Sequence, residues 1–497
     1  MESSTKSVQR SSVKESGSLR PTTPLLTTRY QRTSRATRGY ATLRAGHSSF
    51  AGETEPKYLP RGWSAHVHPE GQLYFACATN PRVVTEADLY DCQVQEAICY
   101  WIEQFNACLA TRSIALPDTA ELFLQLGEEP NACLYYLADY ASRVIFWIED
   151  DLSTEELGFS ETVSDVHLHI LLEEHFWSHV EFFSAHRSSE LSLSDLLVDE
   201  LATVFLHGRT DQLTSVTSTF PYNAEQCTQF MDVLNAAKSE IFLLRYIADT
   251  TLTARLWVVI THYRFNNLYG DKHARLSSDQ SVLDLPSIPR SRLFSAVSML
   301  LFNVPSSYER QFEDLWVDEL VYQEPWQKAM KVFRDEWIVC TALVCQLPIN
   351  VWMLMLPETT RSVMLASMLM CNMSVLFSAI LLMKHRRATT YVADEAAAYL
   401  SEARREASGF RWTALAFSLP KALLLWALGI SSAQSLVWLC EATSVHVLGG
   451  AVLAIFALCL YSGAVPVSRT LPEGCSFLTF WRMFRIRANR QSEECVV

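Results

Sequence analysis

Glycine and proline are scarce in this chain, at 16 Gly and 18 Pro among 497 residues. That scarcity excludes a collagen-like or wholly disordered polypeptide. Charged residues make up only 19%, against 49% apolar. Positive charge is missing where a nucleic-acid partner would need it. Residues 58–325 carry 15 Lys/Arg against 39 Asp/Glu, a net of −24, so phosphate backbones find no counter-charge there. The common signatures of chemistry are lacking too: no P-loop, GxGxxG, GxSxG, CxxC or HExxH occurs. No apolar leader follows the first residues, so no cleaved signal peptide is expected.

What is present is uneven. Residues 1–57 have a net charge of +6 and residues 326–497 of +5, and the mean hydropathy of +0.07 is high for a fully soluble chain. The length predicts several domains. Four stretches are apolar enough to span a bilayer, which takes about 20 residues: 337–356, 363–383, 419–439 and 445–465. Gln346, Pro348 and Asn350 interrupt the first, and Lys421 is expected to snorkel to the headgroups at the start of the third. Gly450 and Ala454 give the fourth a small-xxx-small face suited to helix contact and to homo-oligomers. Lys and Arg are concentrated before the first span, between the second and third, and after the fourth, where residues 466–497 form a basic tail. This alternation predicts a multi-pass membrane protein with both termini in the cytosol. No two of the 13 Cys fall in an expected exterior loop, so reduced thiols are expected. Cys475 and Cys495 are palmitoylation candidates or plain free thiols.

Residues 1–57 hold 19 Ser/Thr and few large apolar side chains, which predicts a disordered tail. The basic run at 29–35 suits either a kinase that prefers basic residues, an anionic lipid surface, or simple solvation. Order begins at 58–88. Leu59-Pro60-Arg61-Gly62-Trp63 opens a strand, His68-Pro69-Glu70-Gly71 makes a turn, and Tyr74-Phe75 lie on a second strand. A helix is expected over Asp91–Ala110, within a linking segment 89–111, because Val94, Ile98, Trp101, Phe105 and Leu109 recur at helical spacing. At 118–150 the run Tyr135-Tyr136-Leu137-Ala138-Asp139-Tyr140 leads through Ser142-Arg143 to Trp147.

The LPxGW start, the turn glycine and the Tyr-Phe pair resemble a WW domain, and 118–150 resembles the middle and last strands of a second one. Both depart from the family. Cys77-Ala78 replaces Asn-His, and Thr85 stands at the second Trp position of the first copy, whereas the second copy lacks the first Trp. The resemblance implies a peptide surface built from Tyr74, Phe75, Tyr136, Arg143 and Trp147, with Trp63 and Gly71 structural, and a proline-rich peptide as ligand. Neither groove has both walls, so Trp63 reads mainly as core and Trp147 as core or ligand platform. The arrangement as a whole is similar to a group of fungal WW-domain-containing membrane proteins. His175-Phe-Trp-Ser-His179-Val-Glu, Thr210-Asp-Gln-Leu-Thr-Ser, Thr219-Phe-Pro-Tyr and Arg255-Leu-Trp extend that resemblance.

Residues 163–325 read as an acidic helical domain with helices at 165–186, 194–206, 223–234, 252–265, 292–302 and 308–321. His175, His179 and His186 would share one helix face, with Glu174, Glu181, His167 and His169 nearby. They are candidate ligands for a divalent metal, or solvated and carboxylate-paired residues. No cofactor is otherwise implied. The fold class expected is therefore mainly α: a small antiparallel WW-like module, a cytosolic helical domain and a C-terminal four-helix transmembrane region. The role expected is a non-enzymatic scaffold or adaptor binding protein and lipid but no nucleic acid. The alternatives are a metal-dependent enzyme using the His175/His179 face and a purely structural membrane organiser.

Overall fold

The computed structural model describes residues 18–27, 29, 36–40, 42, 45–46, 58–127, 129, 131–187, 195–239, 245–284, 289, 291–343, 346–355 and 360–442. The expected fourth span at 445–465 and the basic tail lie outside the described residues. The chain is mostly helical with one small mixed sheet, and it divides into two compact units. One comprises Met1–Arg290, Glu309–Met330 and Arg387–Phe410; the other comprises Ser291–Tyr308, Lys331–Arg386 and Arg411–Val497.

The sheet of the first unit is built from β1 (Ser18–Pro21), β2 (Trp63–Val67), β3 (Leu73–Cys77), β4 (Arg82–Thr85), β5 (Ala120–Leu126), β6 (Ala132–Asp139) and β7 (Val144–Phe146). Strands β2, β3 and β4 form one antiparallel meander and β5, β6 and β7 a second. The expectation of two separate antiparallel modules is corrected here. The meanders fuse through a parallel pairing of β4 with β5, Val83 opposite Leu122 and Val84 opposite Phe123. A parallel neighbour needs a long crossover, and helix α1 (Cys92–Arg112) is that crossover.

Alternation along the strands assigns the two faces. Phe75, Leu122, Leu124, Tyr135 and Leu137 point to one, where Ile98, Trp101 and Phe105 of α1 cover them. Those three residues repeat at helical spacing, and burying each contributes about 1.5–3 kcal/mol. Asp91 caps α1 by accepting from the Gln93 amide at 2.9 Å, and Ser113 ends it in the left-handed region at φ 55°. Gly71 takes φ +91° in the β2–β3 turn, where its amide donates to His68 O at 2.7 Å.

Tyr74, Phe123, Tyr136, Ala138 and Ile145 point to the other face, packed on α2 (Asp165–Phe182). The His175–Glu181 stretch lies within α2, which is buried nearly all round because it has the sheet on one side and α5 on the other. Helices α3 (Asp195–Thr214), α4 (Ala224–Ser239) and α5 (Arg245–Asn266) complete this layer. Trp177 of α2 stacks on Trp257 of α5 at 5.5 Å. Arg255 ties α5 to the Glu70 carboxylate of the β2–β3 turn at 2.6 Å and to Glu181 at 2.7 Å. The helix expected over 165–186 stops at Phe182, so His186 leaves the helix and shares no helical face with His175 and His179.

The tail expectation is corrected as well. Within 1–57, Ser18–Pro21 pairs in parallel with Ala132–Tyr135 of β6, and Pro24–Leu26 forms a 3₁₀ turn. The edge of β6 supplies the backbone partners that Ser/Thr-rich chain lacks alone: Ser18 N donates to Asn131 O and Thr22 N to Tyr135 O, each at 2.9 Å.

The remaining helices are α6 (Arg292–Leu300), α7 (Val304–Leu315), α8 (Gln323–Ala342), α9 (Gln346–Leu354), α10 (Arg361–Lys384), α11 (Ala393–Ala403) and α12 (Arg411–Ala442). Among the described residues, three runs are long and apolar enough to cross a membrane: Gln323–Leu354, Arg361–Lys384 and Arg411–Trp438. They overlap the expected first three spans, ending two residues before 356 in the first and one before 439 in the third. The interruptions in the first become intelligible, since Asn350 Oδ1 accepts from Ser431 at 2.6 Å and Ser367 donates to Ala427 O at 2.9 Å. Such hydroxyl and amide bonds hold apolar helices together. Lys421, expected at the headgroups, pairs through its Nζ with Glu336 at 2.8 Å, and Glu336 also accepts from Tyr308 at 2.5 Å.

Candidate functional site

The densest set of acid and base groups lies between the sheet and α2. Its centre is Glu121, the one charged residue in the apolar strand β5, 1% exposed on the face that Phe123 shares. His186 Nε2 lies 2.6 Å from one carboxylate oxygen. The other oxygen faces His179 Nε2 at 3.3 Å and accepts from Tyr140 OH at 3.0 Å, with Arg187 at 3.8 Å. The Arg187 guanidinium also covers the Tyr140 ring at 3.7 Å.

Donor and acceptor logic sets the protons. Tyr74 OH accepts from the amides of Ala185 at 2.9 Å and His186 at 3.0 Å, so its own proton goes to His186 Nδ1 at 3.2 Å. His186 then carries its hydrogen on Nε2 and donates it to Glu121. By the same reasoning Tyr136 OH donates to His179 Nδ1 at 3.0 Å and His179 Nε2 donates to Glu121. Burial alone would raise the Glu121 carboxyl, but His186 and His179 outweigh it and hold its pKa well below the ordinary value. Burial lowers His179, and it raises the Tyr136 and Tyr140 phenols far above theirs.

The structure therefore brings Tyr74, Tyr136, His179 and His186 together, but as one closed buried network. Tyr74, Phe75 and Tyr136 are each 0% exposed. As an external peptide surface these three rings are unavailable, because two helical layers cover the faces that an isolated small sheet would expose. Phe75 lies on the opposite face from Tyr74, as successive strand residues must. Trp63 is half-buried against the α1 core, and Gly71 holds its turn. Arg143 sits in the β6–β7 turn at φ 56° with its guanidinium 5.7 Å from the Trp177 ring. Trp147 alone of the expected peptide residues meets an extended proline-bearing segment: its Nε1 donates to Thr22 O at 2.9 Å.

His175 parts from the other two histidines. Its ring lies tilted against Phe159 at 4.7 Å, it is buried to 5% exposure, and its Nδ1 has no hydrogen-bond partner. Burial pushes its pKa down to about 4. It lines a cleft of about 190 Å³ with Thr23, Leu26, Glu174, His262 and Phe265 among its walls. His262 Nδ1 lies 3.1 Å from Glu174, which raises the His262 pKa. Among the described residues no group of three or more His, Cys, Asp or Glu is arranged to hold a metal. The described cysteines, Cys77, Cys92, Cys99, Cys108, Cys133, Cys227, Cys340 and Cys371, are free thiols.

Glu121, Tyr140, Arg187 and Thr22 were missed by the reading of the sequence. Glu121 had a visible signal: a lone carboxylate in Ala120–Leu126, on the face alternating with Leu122 and Leu124. Thr22 had none, since its partners are more than a hundred residues away. Comparison of the chain with family models, curated proteins and solved structures found no match in any of the three. The likeness to the WW family rests on the residues quoted above.

Proposed function

We propose that this chain is a multi-pass membrane adaptor without a catalytic step, anchored by four spans with both termini in the cytosol. Its first unit holds a protein partner at the membrane face. The observation that carries this reading is the junction, in one polypeptide, of three membrane-length helices with a sheet whose open edge grips an extended proline-bearing strand through Trp147. The closed bonding of Glu121, His179 and His186 adds support, since imidazoles already engaged on both nitrogens are better suited to holding layers together than to turning over a substrate. The small residues Gly450 and Ala454 in the sequence of the expected fourth span offer a route to homo-oligomers, and the basic segments suit an anionic leaflet.

Photo-crosslinking of the full chain in its native membrane tests the idea. Beside an internal link to the Thr22 segment that Trp147 already touches, a crosslinker at position 147 is expected to yield discrete protein adducts that a crosslinker at exposed Val216 does not. The same pattern from both positions would count against an adaptor and for a purely structural organiser. Release of the chain by alkaline carbonate would dispose of the membrane placement.

A second reading is favoured by His175 alone, whose bare Nδ1 lines a cleft beside Glu174 and His262. It makes the cleft a divalent-metal site of an enzyme. Zinc or manganese would then raise the unfolding midpoint of the full chain in micelles, and His175→Ala would abolish the rise.

A further inference from the structure

We propose that the β6 edge and Trp147 form a peptide-binding site which this chain's own residues 18–27 occupy as an internal ligand. A partner bearing an extended Pro-x-x-Pro segment enters by displacing them. This rests on the adaptor reading and names the partner chemistry of the same unit.

The way the segment is held argues for a ligand more than for a strand of the fold. A structural edge strand is fastened by side chains sunk in the core. Here the apolar side chains contribute little: Leu25 and Leu26 remain 56% and 55% exposed, and Leu19 is half-buried. The grip is on the main chain. Ser18 N and Thr22 N donate to carbonyls of Asn131 and Tyr135, and the Thr22 carbonyl accepts from the Trp147 indole at 2.9 Å. What is buried is short: Thr22 at 3%, Thr23 at 1%, Pro24 and, at the far end, Arg29 at 7%. Main-chain pairing along a strand edge plus burial of a few side chains is how an extended peptide is recognised by strand addition. Such recognition reads backbone and a few positions, so any chain presenting Pro-x-x-Pro as Pro21-Thr22-Thr23-Pro24 does can substitute.

Charge fits the same account. Arg20 meets Glu129 at 2.8 Å, with both side chains more than half exposed, so this pair steers without locking. Arg29 closes the far end, bonding Glu86 at 2.6 Å and lying over the Phe182 ring at 4.7 Å. A basic residue before the first proline, and another after the second, complement the acidic surroundings. Thr23 also supplies a means of release. A negative group on a side chain 1% exposed would be buried in the wall it shares with Glu174, whose carboxylate already takes the His262 imidazole. A tethered segment competes at an effective concentration on the order of 1 mM, so its removal should raise the apparent affinity for a free peptide about 100-fold or more.

The test uses the full chain in detergent micelles and two fluorescent peptides. One carries the sequence of residues 17–28; the other is an unrelated sequence with the same Pro-x-x-Pro spacing. Intact protein is expected to bind neither at 100-fold below the effective concentration, whereas deletion of residues 1–27, which leaves Arg29 in place, or Thr23→Glu in the whole chain, is expected to let both bind. Trp147→Phe in the deleted chain keeps an aromatic ring, though a smaller one, loses the N–H, and should weaken binding about tenfold, the usual size of one hydrogen bond lost to a carbonyl. Equal binding by intact and deleted chains would overturn the internal-ligand proposal. So would a deleted chain with unchanged urea midpoint that ignores the residue 17–28 peptide.

Should the variants fail to fold, amide exchange of the unmodified protein decides. The Thr22 amide exchanging far faster than the β5 and β6 ladder amides supports a displaceable segment; exchange only with global unfolding makes it a permanent strand and ends the proposal. The two ideas part company cleanly. A freed site that takes the chain's own segment but not the foreign peptide preserves internal occupancy and sinks the adaptor. A foreign peptide that binds the intact chain at full strength does the reverse.

Discussion

Two buried polar networks, one in each unit, solve the same problem with different chemistry. Around Glu121 the first unit gathers a carboxylate, a guanidinium, two imidazoles and three phenols. In the second unit Asn350, Ser367 and Ser431 bond through neutral amide and hydroxyl groups, each at most 3% exposed. The difference matches the second unit's helices being long and apolar enough to cross a membrane. A chain leaving water can bury a charge if a complete set of partners receives it, and gains a unique arrangement of layers in return. A helix already in lipid has no water to leave, so a charge there is expensive and a hydroxyl suffices. The lesson is that the charged network should be strong, brittle and sensitive to acid, and the neutral one weak, tolerant and indifferent to pH.

The largest effect should come from breaking the charged network. Glu121→Ala strands His179, His186 and Arg187 and is expected to cost about 3–5 kcal/mol. The urea midpoint of the first unit, read by tryptophan emission in the full chain, is the measurement. A loss under about 1 kcal/mol would show the cluster to be passive filling.

Acid comes next. The folded pKa of His175 is about 4, below its ordinary 6.5, so the unfolded chain takes up that proton first. Stability should therefore fall as pH drops from 6.5 towards 4, by on the order of 3 kcal/mol. His179 is lowered by burial in the same direction and adds to the slope. The Glu121 contribution, from a depressed carboxyl, is whole above its ordinary 4.5 and is lost only as pH falls below that. Denaturation midpoints between pH 7 and 4 check this, and His175→Phe should flatten the upper part of the curve. A wild-type curve with no slope above pH 4.5 would contradict the burial of neutral imidazole.

Smaller again is the neutral network. A double-mutant cycle of Asn350→Ala with Ser431→Ala should give a coupling of about 0.6 kcal/mol, and at most about 1.7 kcal/mol, unchanged between pH 5 and 8. Unfolding in mixed micelles measures it. A coupling as large as the Glu121 loss would erase the contrast between the two units. The smallest effect expected is at the surface: Arg20→Ala removes an exposed ion pair with Glu129 and should shift stability by no more than about 0.5 kcal/mol.

Much of the architecture was legible from short-range pattern. The α1 stripe at Ile98, Trp101 and Phe105 was read with the right face and nearly the right ends, and the β2–β3 turn followed from Gly71. Three membrane-length runs stood where hydropathy put them. The candidate site was less readable. His175, His179 and His186 looked like one set because their spacing suits a helix, yet the helix ends at Phe182 and the three side chains go to two different places. Tyr74 and Tyr136 looked like an exposed pair because a lone small sheet has an open face.

The order of residues, through periodicity and composition, settled which segments become helix, strand or membrane span, since each depends on neighbours within a few positions. Tertiary structure alone decided that β4 and β5 join, that α2 is enclosed on both sides, and that residues 18–27 find a strand edge. Those outcomes turn on partners far away in the chain, such as Arg29 bonding to Phe182 O across 153 positions. A local pattern marks a face as apolar or a backbone as unpaired, but carries no record of which distant element will cover it.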